Sequence, residues 1–135
     1  MPRKRLLFLD DDAHRRFFVK SNVPYADMAA TAQEAIAKLK TCVYDVVSLD
    51  HDLGEKTMVQ SGHGTGYEVA EFIAALPRKP LGGWPRVVLH SFNPVGVKNM
   101  AHVLAGAGYI IYTAPFDTPV FWKIIKKCRR ISPNS

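Results

Sequence analysis

The chain has 135 residues, 47% of them hydrophobic and 22% charged, a composition typical of a globular domain and unlike that of a disordered or fibrous protein. No apolar run approaches the roughly 20 residues that a membrane-spanning helix needs, and Cys42 and Cys128 lack the spacing of a zinc or redox motif. We therefore expect one cytoplasmic domain over residues 1–135, with reduced thiols and no attachment to a membrane.

The formal net charge is +6, and basic residues cluster near both ends of the sequence. An excess of positive charge favours anionic partners through long-range attraction, but it does not distinguish a nucleotide from RNA or from a membrane surface. The plainer interpretation, which we favour on the sequence alone, is a solvated helix face. The clustered residues are Arg3, Lys4, Arg5, Lys123, Lys126, Lys127, Arg129 and Arg130.

The first half of the chain alternates short apolar runs with amphipathic stretches, as expected for strands followed by helices. Its first apolar run stops at three aspartates, which is typical of a strand that is buried on both faces. Phe17 and Phe18 are expected to face inward from the next helix, and Thr31 with Glu34 has the capping-box spacing of a second helix. The predicted elements are a strand over 5–9, a helix from about 13, an extended segment over 25–30, a helix after 31 and a strand over 44–49.

The second half repeats this alternation after a long loop over residues 53–66. The loop contains four glycines and little apolar periodicity, and loops of this length in compact domains are often functional. Asn93 and Pro94 suit the start of a helix, and Gly106 and Gly108 suit its end. The predicted elements are a helix over 67–76, a strand over 86–89, a helix from 93–94 to 106–108, a strand over 109–112 and a helix from 119.

Five alternations of strand and helix predict an α/β fold. Right-handed crossovers wind such a chain into a parallel sheet with helices on both faces. We expect a three-layer α/β/α architecture with a five-stranded parallel sheet of the receiver (flavodoxin-like) order 2-1-3-4-5. Ligands of such sheets bind beyond the carboxyl ends of the strands at the topological switch point, which here lies between strands one and three.

Polar side chains follow three of the predicted strands at the point where each strand ends. Because neighbouring strands lie about 4.8 Å apart, these groups can reach one ligand of phosphate size. The carboxylates alone permit two interpretations: a Mg²⁺ site formed by Asp10, Asp11 and Asp50, or carboxylates that orient histidines. Asp12 is expected to cap the first helix. The groups are Asp10, Asp11 and Asp12 after strand one, Asp50, His51 and Asp52 after strand three, and His90 and Ser91 after strand four.

Two histidines add acid–base chemistry to this predicted site. A phosphodiester or cyclic phosphate is opened well by two groups that exchange protons near neutral pH, one acting on water and the other protonating the leaving oxygen. We assign these roles to His51 and His90, with Asp50 and Asp52 orienting them or binding a metal. The alternative is that each histidine is a polar bystander. His14 and His63 could also approach the site, but we assign them no role.

Three residues are candidates for binding the phosphate. Arg15 lies just beyond the aspartates, where its guanidinium could clamp a phosphate with two hydrogen bonds. Ser91 and Asn93 could donate hydrogen bonds near the start of the fourth helix, where the helix dipole favours an anion. Alternatively they cap that helix, and the two roles are compatible. The stretch 62–66, GHGTG, lacks the lysine of a P-loop, and we interpret it as a flexible lid.

Three segments, LLFLDDD (6–12), YDVVSLDHDLG (44–54) and VVLHSFNPVG (87–96), resemble the cyclic-phosphate processing receiver-like family, a divergent branch of the response-regulator receiver fold. The resemblance covers nearly the whole chain. It implies that Asp10 and Asp11 match the metal-binding acidic pair of receivers, and that Asp50 matches their phosphoacceptor. Ser91 matches the hydroxyl residue after strand four. Receivers carry Lys-Pro after strand five, whereas this chain has Ala114-Pro115, so we do not expect phosphorelay signalling.

The leading expectation is a hydrolase that acts on a cyclic phosphate or phosphodiester of a nucleotide or RNA end, with Mg²⁺ as its candidate cofactor. Two alternatives stay open. One is a non-catalytic binder that sequesters a cyclic nucleotide or a partner in the same pocket. The other is a degenerate receiver-type domain that docks a partner through its last strand and helix, with Tyr112, Phe116 and Trp122 exposed.

Overall fold

Strands and helices alternate along the part of the chain that the computed structural model describes, residues 2–54, 58–77 and 85–127. The strands are β1 (Arg3–Leu9), β2 (Asp27–Ala29), β3 (Val43–Leu49), β4 (Arg86–Leu89) and β5 (Ile111–Thr113). The helices are α1 (Ala13–Asn22), α2 (Ala32–Thr41), α3 (Gly66–Ala74), α4 (Pro94–Gly106) and α5 (Pro119–Lys127). The predicted alternation of strand and helix is confirmed.

The strands form a parallel sheet in the order β2-β1-β3-β4-β5. Successive side chains of a strand point to opposite faces, and two hydrophobic clusters follow this alternation. One cluster joins the sheet to α2, α3 and α4, and the other joins it to α1 and α5. The predicted three-layer α/β/α fold with strand order 2-1-3-4-5 is therefore confirmed.

The three central strands are aligned so that their last residues lie side by side. Leu9 of β1 is the partner of Leu49 in β3, and Leu49 is the partner of Leu89 in β4. The ladder continues one residue further, because the amide of Asp50 donates to the carbonyl of Leu9 and that of His90 to Leu49, each at 3.0 Å. The polar residues that follow these strands therefore lie at one level of the same sheet edge.

Side-chain caps fix where the helices begin. Asp12 caps α1, Thr31 forms a capping box with Glu34 at the start of α2, and Asn93 caps α4. Thr65 caps α3. Each cap accepts a hydrogen bond from an amide that has no partner within the helix. As a result, α1 and α4 begin beside the polar strand ends rather than several residues further on.

Two phenylalanines of α1 face away from the core. Phe17 is 73% exposed and Phe18 is 47% exposed, whereas Val19 is completely buried. The prediction that both phenylalanines face inward is therefore wrong. Successive residues of a helix are rotated by about 100°, so the orientation that buries Val19 against the sheet turns Phe17 toward solvent.

The last strand begins later than the sequence suggested. The predicted strand covered 109–112, whereas β5 covers Ile111–Thr113. Gly108 has a φ of 89° just after α4, and the chain needs two more residues before it pairs with β4. Tyr109 is buried in this connection, where its hydroxyl donates to the carbonyl of Ile73 at 3.1 Å.

Three aromatic residues of β5 and the segment that follows it are half-buried rather than exposed. The rings of Phe116 and Trp122 each lie 5.2 Å from the ring of Phe121, measured between centroids. Tyr112 packs against the same cluster, and all three residues are half-buried. These three side chains are therefore less exposed than expected, and docking of a partner through the last strand and helix stays a prediction.

Two further expectations concern thiols and membranes. Cys42 is a half-buried free thiol. Cys128, Arg129 and Arg130 lie outside the described residues, as does the side chain of Lys127. Within the described ranges, no helix is both long enough and apolar enough to cross a membrane.

Gly66, the first residue of α3, lies against the backbone at the polar end of β3. A Cβ atom at this position would lie 1.8 Å from the carbonyl oxygen of Asp50. The Gly66 amide also donates to the carbonyl of His51 at 2.9 Å. The absence of a side chain therefore allows α3 to begin in direct contact with the strand end that carries Asp50.

We predict that Gly66→Ala destabilises the protein by about 1–3 kcal/mol or more, because backbone atoms have to move to accept the new methyl group. Gly106→Ala is the matched control, since a Cβ there meets nothing within 4 Å. It should change the free energy of unfolding by less than about 1 kcal/mol. Urea unfolding of both variants measures the difference, and equal stabilities would contradict the close packing at Gly66.

Candidate functional site

A cavity opens at the carboxyl edge of the sheet, where β1, β3 and β4 end. This edge cavity has a volume of about 590 Å³, within the usual range for small-molecule sites. Among the described residues that line it, Arg15 is the only lysine or arginine. The lining residues are Asp10, Asp11, Asp12, Ala13, His14, Arg15, Asp50, Asp52, Met58, Ser91 and Phe92. The edge cavity therefore brings carboxylates from two strand ends together with one guanidinium.

His90 lies beneath the edge cavity and is completely buried. Its Nε2 is 3.0 Å from Oδ2 of Asp10, and its Nδ1 is 2.7 Å from Oγ of Ser48. The ring also stacks on Phe8, with centroids 4.7 Å apart. Both ring nitrogens are thus engaged, and the imidazole does not line the cavity. His90 reaches a ligand there only through the carboxylate of Asp10.

Asp10 and Asp50 are both buried but differ in their affinity for a proton. Burial acts to raise the pKa of Asp10, yet the hydrogen bond and charge of His90, the Asp12 amide and Arg15 outweigh it, so the pKa falls below its ordinary value. Burial raises the pKa of Asp50 to about 6, and the negative charge of Asp10 adds to the increase. Near neutral pH the two carboxyl groups thus share a concentrated negative charge.

Arg15 projects from the first turn of α1 to the wall of the edge cavity. Its Nη1 lies 3.4 Å from Oδ2 of Asp10. Its guanidinium carbon lies 5.4 Å from the ring centroid of Phe92 and 5.1 Å from that of Phe116. Aromatic ring faces attract cations, so two rings and one carboxylate hold the guanidinium beside the acidic pair. Arg15 is therefore positioned to contact an anion in the cavity.

His51 lies on the opposite face of the sheet, completely buried between the loop after β3 and α4. Its Nδ1 is 2.9 Å from Oδ1 of Asp52, and its Nε2 is 2.8 Å from Oγ of Ser61. The Ser61 oxygen also accepts a hydrogen bond from Asn99 at 2.9 Å. A Cβ on Gly96 would lie 2.3 Å from the His51 ring, so α4 packs directly against it. His51 does not line the edge cavity and reaches it only through Asp52.

Asp52 ties the loop after β3 to the edge cavity. Its carboxylate accepts hydrogen bonds from the amides of Met58 at 2.7 Å and Val59 at 3.3 Å. Burial acts to raise the pKa of Asp52, but hydrogen bonds from His51, Asn93 and these two amides lower it below its ordinary value. The ionised carboxylate therefore anchors residues 58 and 59 of the glycine-containing loop.

The two candidate phosphate ligands after β4 have different environments. Asn93 Oδ1 accepts a hydrogen bond from the Gly96 amide, and its Nδ2 donates to Asp52 and to the carbonyl of Val59. Asn93 therefore caps α4, which is one of the two roles expected from the sequence, and it is not among the residues that line the edge cavity. Ser91 lines the cavity, and its Oγ accepts from the Asn93 amide at 3.1 Å. Within the part of the chain that the structure describes, the Ser91 hydroxyl proton has no acceptor, so it can donate to a ligand.

Four residues that line the edge cavity received no role from the sequence: Ala13, His14, Met58 and Phe92. His14 lies in the first turn of α1 beside Arg15, and Phe92 lies between Ser91 and Asn93, so their proximity to predicted site residues was a usable signal. Met58 comes from the loop after β3, and no sequence pattern places it there. His63 pairs with Glu68 at 3.3 Å and is not among the lining residues.

The fold is similar to that of receiver domains in solved structures. A CheY-like receiver domain from Methanospirillum hungatei shares 20% identity over 98% of each chain, with a TM-score of 0.65. A response regulator from Thermotoga maritima, solved with Mg²⁺ and BeF, shares 21% identity over 93% of this chain and 98% of its own, with a TM-score of 0.61. The receiver domain of a sensor histidine kinase from Pseudomonas aeruginosa, solved with a magnesium ion in its active-site cleft, shares 16% identity over 92% and 95%, with a TM-score of 0.63.

No curated protein sequence matches the chain significantly. The profile of one family, described as the cyclic-phosphate processing receiver domain, matches residues 5–106. This range includes the ends of β1, β3 and β4 and all the described residues that line the edge cavity. The chain therefore belongs to the cyclic-phosphate processing receiver domain family.

Proposed function

We propose that the protein binds a cyclic phosphate of a nucleotide or RNA end in the edge cavity and hydrolyses it to a phosphomonoester. The observation that carries this proposal is that acidic groups and donors for phosphate oxygens line the same cavity. Asp10 and Asp50 supply acidic groups, and Arg15 with Ser91 supplies donors for phosphate oxygens. The family description supports the class of ligand.

The proposed reaction forms a bond between a water oxygen and phosphorus and breaks one ring P–O ester bond. When no cation is bound, Asp50 accepts the proton of the water, since a carboxyl group with a pKa of about 6 is mostly ionised at pH 7 yet still basic enough to take a proton. The leaving oxygen takes its proton from His14 or from solvent. Arg15 and Ser91 hold the phosphate oxygens as charge shifts toward them.

In this proposal His51 and His90 affect a ligand indirectly, through the carboxylates to which they are hydrogen-bonded. The assignment of acid–base roles to His51 and His90 stays a prediction. Because both imidazoles are buried, we propose that His90 acts by positioning Asp10 and that His51 acts by positioning Asp52. Each pair then presents its carboxylate, and not its imidazole, to the edge cavity.

The acidic end of the edge cavity also fits a divalent cation. Ligand-type atoms of Asp10, Asp50 and His90 lie within 4.8 Å of one another. Two buried carboxylates so close together repel, and a cation relieves that repulsion. We propose that Asp10, Asp11 and Asp50 hold Mg²⁺, which prefers oxygen ligands. Such an ion would stabilise negative charge on the phosphate.

A second candidate function is binding without turnover. The observation that favours it is the burial of both predicted acid–base imidazoles, since each has two engaged nitrogens and neither lines the edge cavity. Such a protein would sequester the cyclic phosphate or act as a receiver-type interaction domain. Recovery of a tightly bound, chemically unchanged ligand would distinguish this function from hydrolysis.

The first prediction from the proposed function concerns pH and stability in metal-free buffer. The pKa of Asp50 is higher in the folded protein, about 6, than its ordinary 3.8, so the folded state binds the proton more tightly and loses stability as pH rises from about 4 to 6. Asp50→Asn removes this penalty and keeps an oxygen to accept the His51 amide. At pH 8 the variant should be more stable by up to about 3 kcal/mol.

The difference should shrink toward zero below about pH 4, where Asp50 is protonated in both states. Thermal unfolding of both proteins in EDTA across this pH range provides the measurement. A constant difference at all pH values would show that the ionisation of Asp50 is not responsible.

The second prediction concerns Mg²⁺. An ion that binds only the folded state stabilises it by about 2.7 kcal/mol at 100 times its dissociation constant. MgCl₂ should therefore raise the melting temperature of the wild type but not that of Asp10→Asn. Asp117→Asn, which changes an exposed aspartate outside the edge cavity, should respond like the wild type. Equal responses of all three proteins would rule out the site.

The third prediction concerns catalysis. The purified protein, with Mg²⁺ or EDTA, should add one water to at least one member of a panel of 2′,3′- and 3′,5′-cyclic nucleotides and cyclic-phosphate-ended RNA, as measured by mass spectrometry. Asp50→Asn should lower the rate by about 10²- to 10⁴-fold, the usual contribution of a positioned acid–base group.

His51→Gln and His90→Gln should lower the rate while circular dichroism confirms that they fold. His102→Gln, an exposed histidine of α4, is the matched control and should keep full activity. Full activity in both His51→Gln and His90→Gln would remove the histidines from the mechanism, and no water gain on any panel member would leave binding as the function.

A further inference from the structure

We propose that Phe92 is a stacking platform for a nucleobase, and that the edge cavity takes the 3′ end of a single-stranded RNA rather than a base-free phosphoester. This inference rests on the proposed function, from which it takes the position of the phosphate. It adds the substrate class and a residue that selects it.

Phe92 has the position that such a platform needs. It directly follows Ser91, lines the same cavity as Asp10 and Asp50, and is 55% exposed. Arg15 packs against this ring as well as against Asp10. A ligand phosphate near Arg15 and Ser91 therefore has an accessible aromatic side chain next to it. Every base can stack on an aromatic ring without a requirement for a particular sequence.

A second aromatic surface continues from the edge cavity. A smaller cavity of about 260 Å³, which we call the aromatic cleft, shares His14 and Arg15 with the edge cavity. Its other lining residues are Phe17, Phe18 and Phe116. Phe17 is the most exposed of these aromatics, at 73%. Two adjoining aromatic surfaces on either side of Arg15 fit two successive bases, and therefore an RNA end better than a mononucleotide.

The charge of the whole chain agrees with a polyanionic ligand. The formal net charge is +6 although the edge cavity itself is acidic. A net positive charge attracts a polyanion over long range. The acidic pair then contacts only the terminal phosphate. A protein partner for the same aromatic patch would not need the patch to adjoin a cavity that carries donors for phosphate oxygens.

The test compares three probes: 1-O-methylribose 2,3-cyclic phosphate, adenosine 2′,3′-cyclic phosphate and triadenylate with a 2′,3′-cyclic phosphate end. Where the protein turns a probe over, kcat/KM is measured. Where it does not, calorimetric titration gives Kd. The same comparison between variants applies to either quantity, so a failure of hydrolysis does not prevent the test of base stacking.

Phe92→Ala should weaken the response to adenosine 2′,3′-cyclic phosphate by roughly 5- to 100-fold more than the response to the base-free probe, which measures any loss caused by displacement of Arg15. Phe92→Trp should retain the wild-type preference, since it restores a stacking face. Phe17→Ala should weaken only the triadenylate. Val95→Ala is the control, because Val95 is 69% exposed and lines neither cavity. This variant should respond to all three probes like the wild type.

Equal loss of the base-free and adenosine probes in Phe92→Ala would overturn the stacking role while leaving hydrolysis intact. An unchanged response of Phe17→Ala to the triadenylate would overturn the preference for an RNA end. Neither binding nor turnover of any probe by the wild type would overturn the inference and the proposed function together. Probe binding that Phe92→Ala weakens selectively, without turnover, would support stacking and reject hydrolysis.

Discussion

The parallel register of β1, β3 and β4 is the constraint on which the rest of the site depends. Leu9, Leu49 and Leu89 lie side by side, so the residues that follow them leave the sheet at one level. Asp10, Asp50 and His90 continue the same face of the sheet, and their ligand-type atoms lie within 4.8 Å of one another. A slip of one residue would turn a side chain to the other face and separate the acidic pair.

This register also explains why the two histidines play different structural parts. His51 and His90 come one position apart in the ladder, so alternation sends their side chains to opposite faces of the sheet. His90 lies among aromatic rings near α5 and bonds Asp10. His51 lies against Gly96 of α4 and bonds Asp52. Each imidazole is buried, yet each is hydrogen-bonded to a carboxylate that lines the edge cavity. Both histidines therefore connect the packed interior to the site.

Much of the site could be predicted from the sequence because strand ends are local signals. A buried apolar run followed by Asp10 or Asp50 marks the carboxyl edge, and parallel topology brings such edges together. The cap of Asp12 was predictable for the same reason, since capping depends on neighbours within four residues. The direction of the Phe17 and Phe18 side chains could not be predicted from the sequence, because it depends on which side of α1 meets the sheet. Burial of Val19 decided that orientation, and it placed the phenylalanines beside the edge cavity.

The sequence by itself determined the α/β alternation and the polar strand ends that carry Asp10, Asp50 and Ser91, because hydrophobic periodicity records these features directly. The strand order 2-1-3-4-5 was an expectation, which the structure confirmed. The tertiary structure alone decided which groups face a ligand. It buried His51 and His90 behind carboxylates, assigned Asn93 to capping, and set Arg15 between Phe92 and Phe116. The physical reason is that hydrophobic pattern specifies which elements form, whereas the direction and exposure of each polar side chain depend on register and packing between elements distant in sequence.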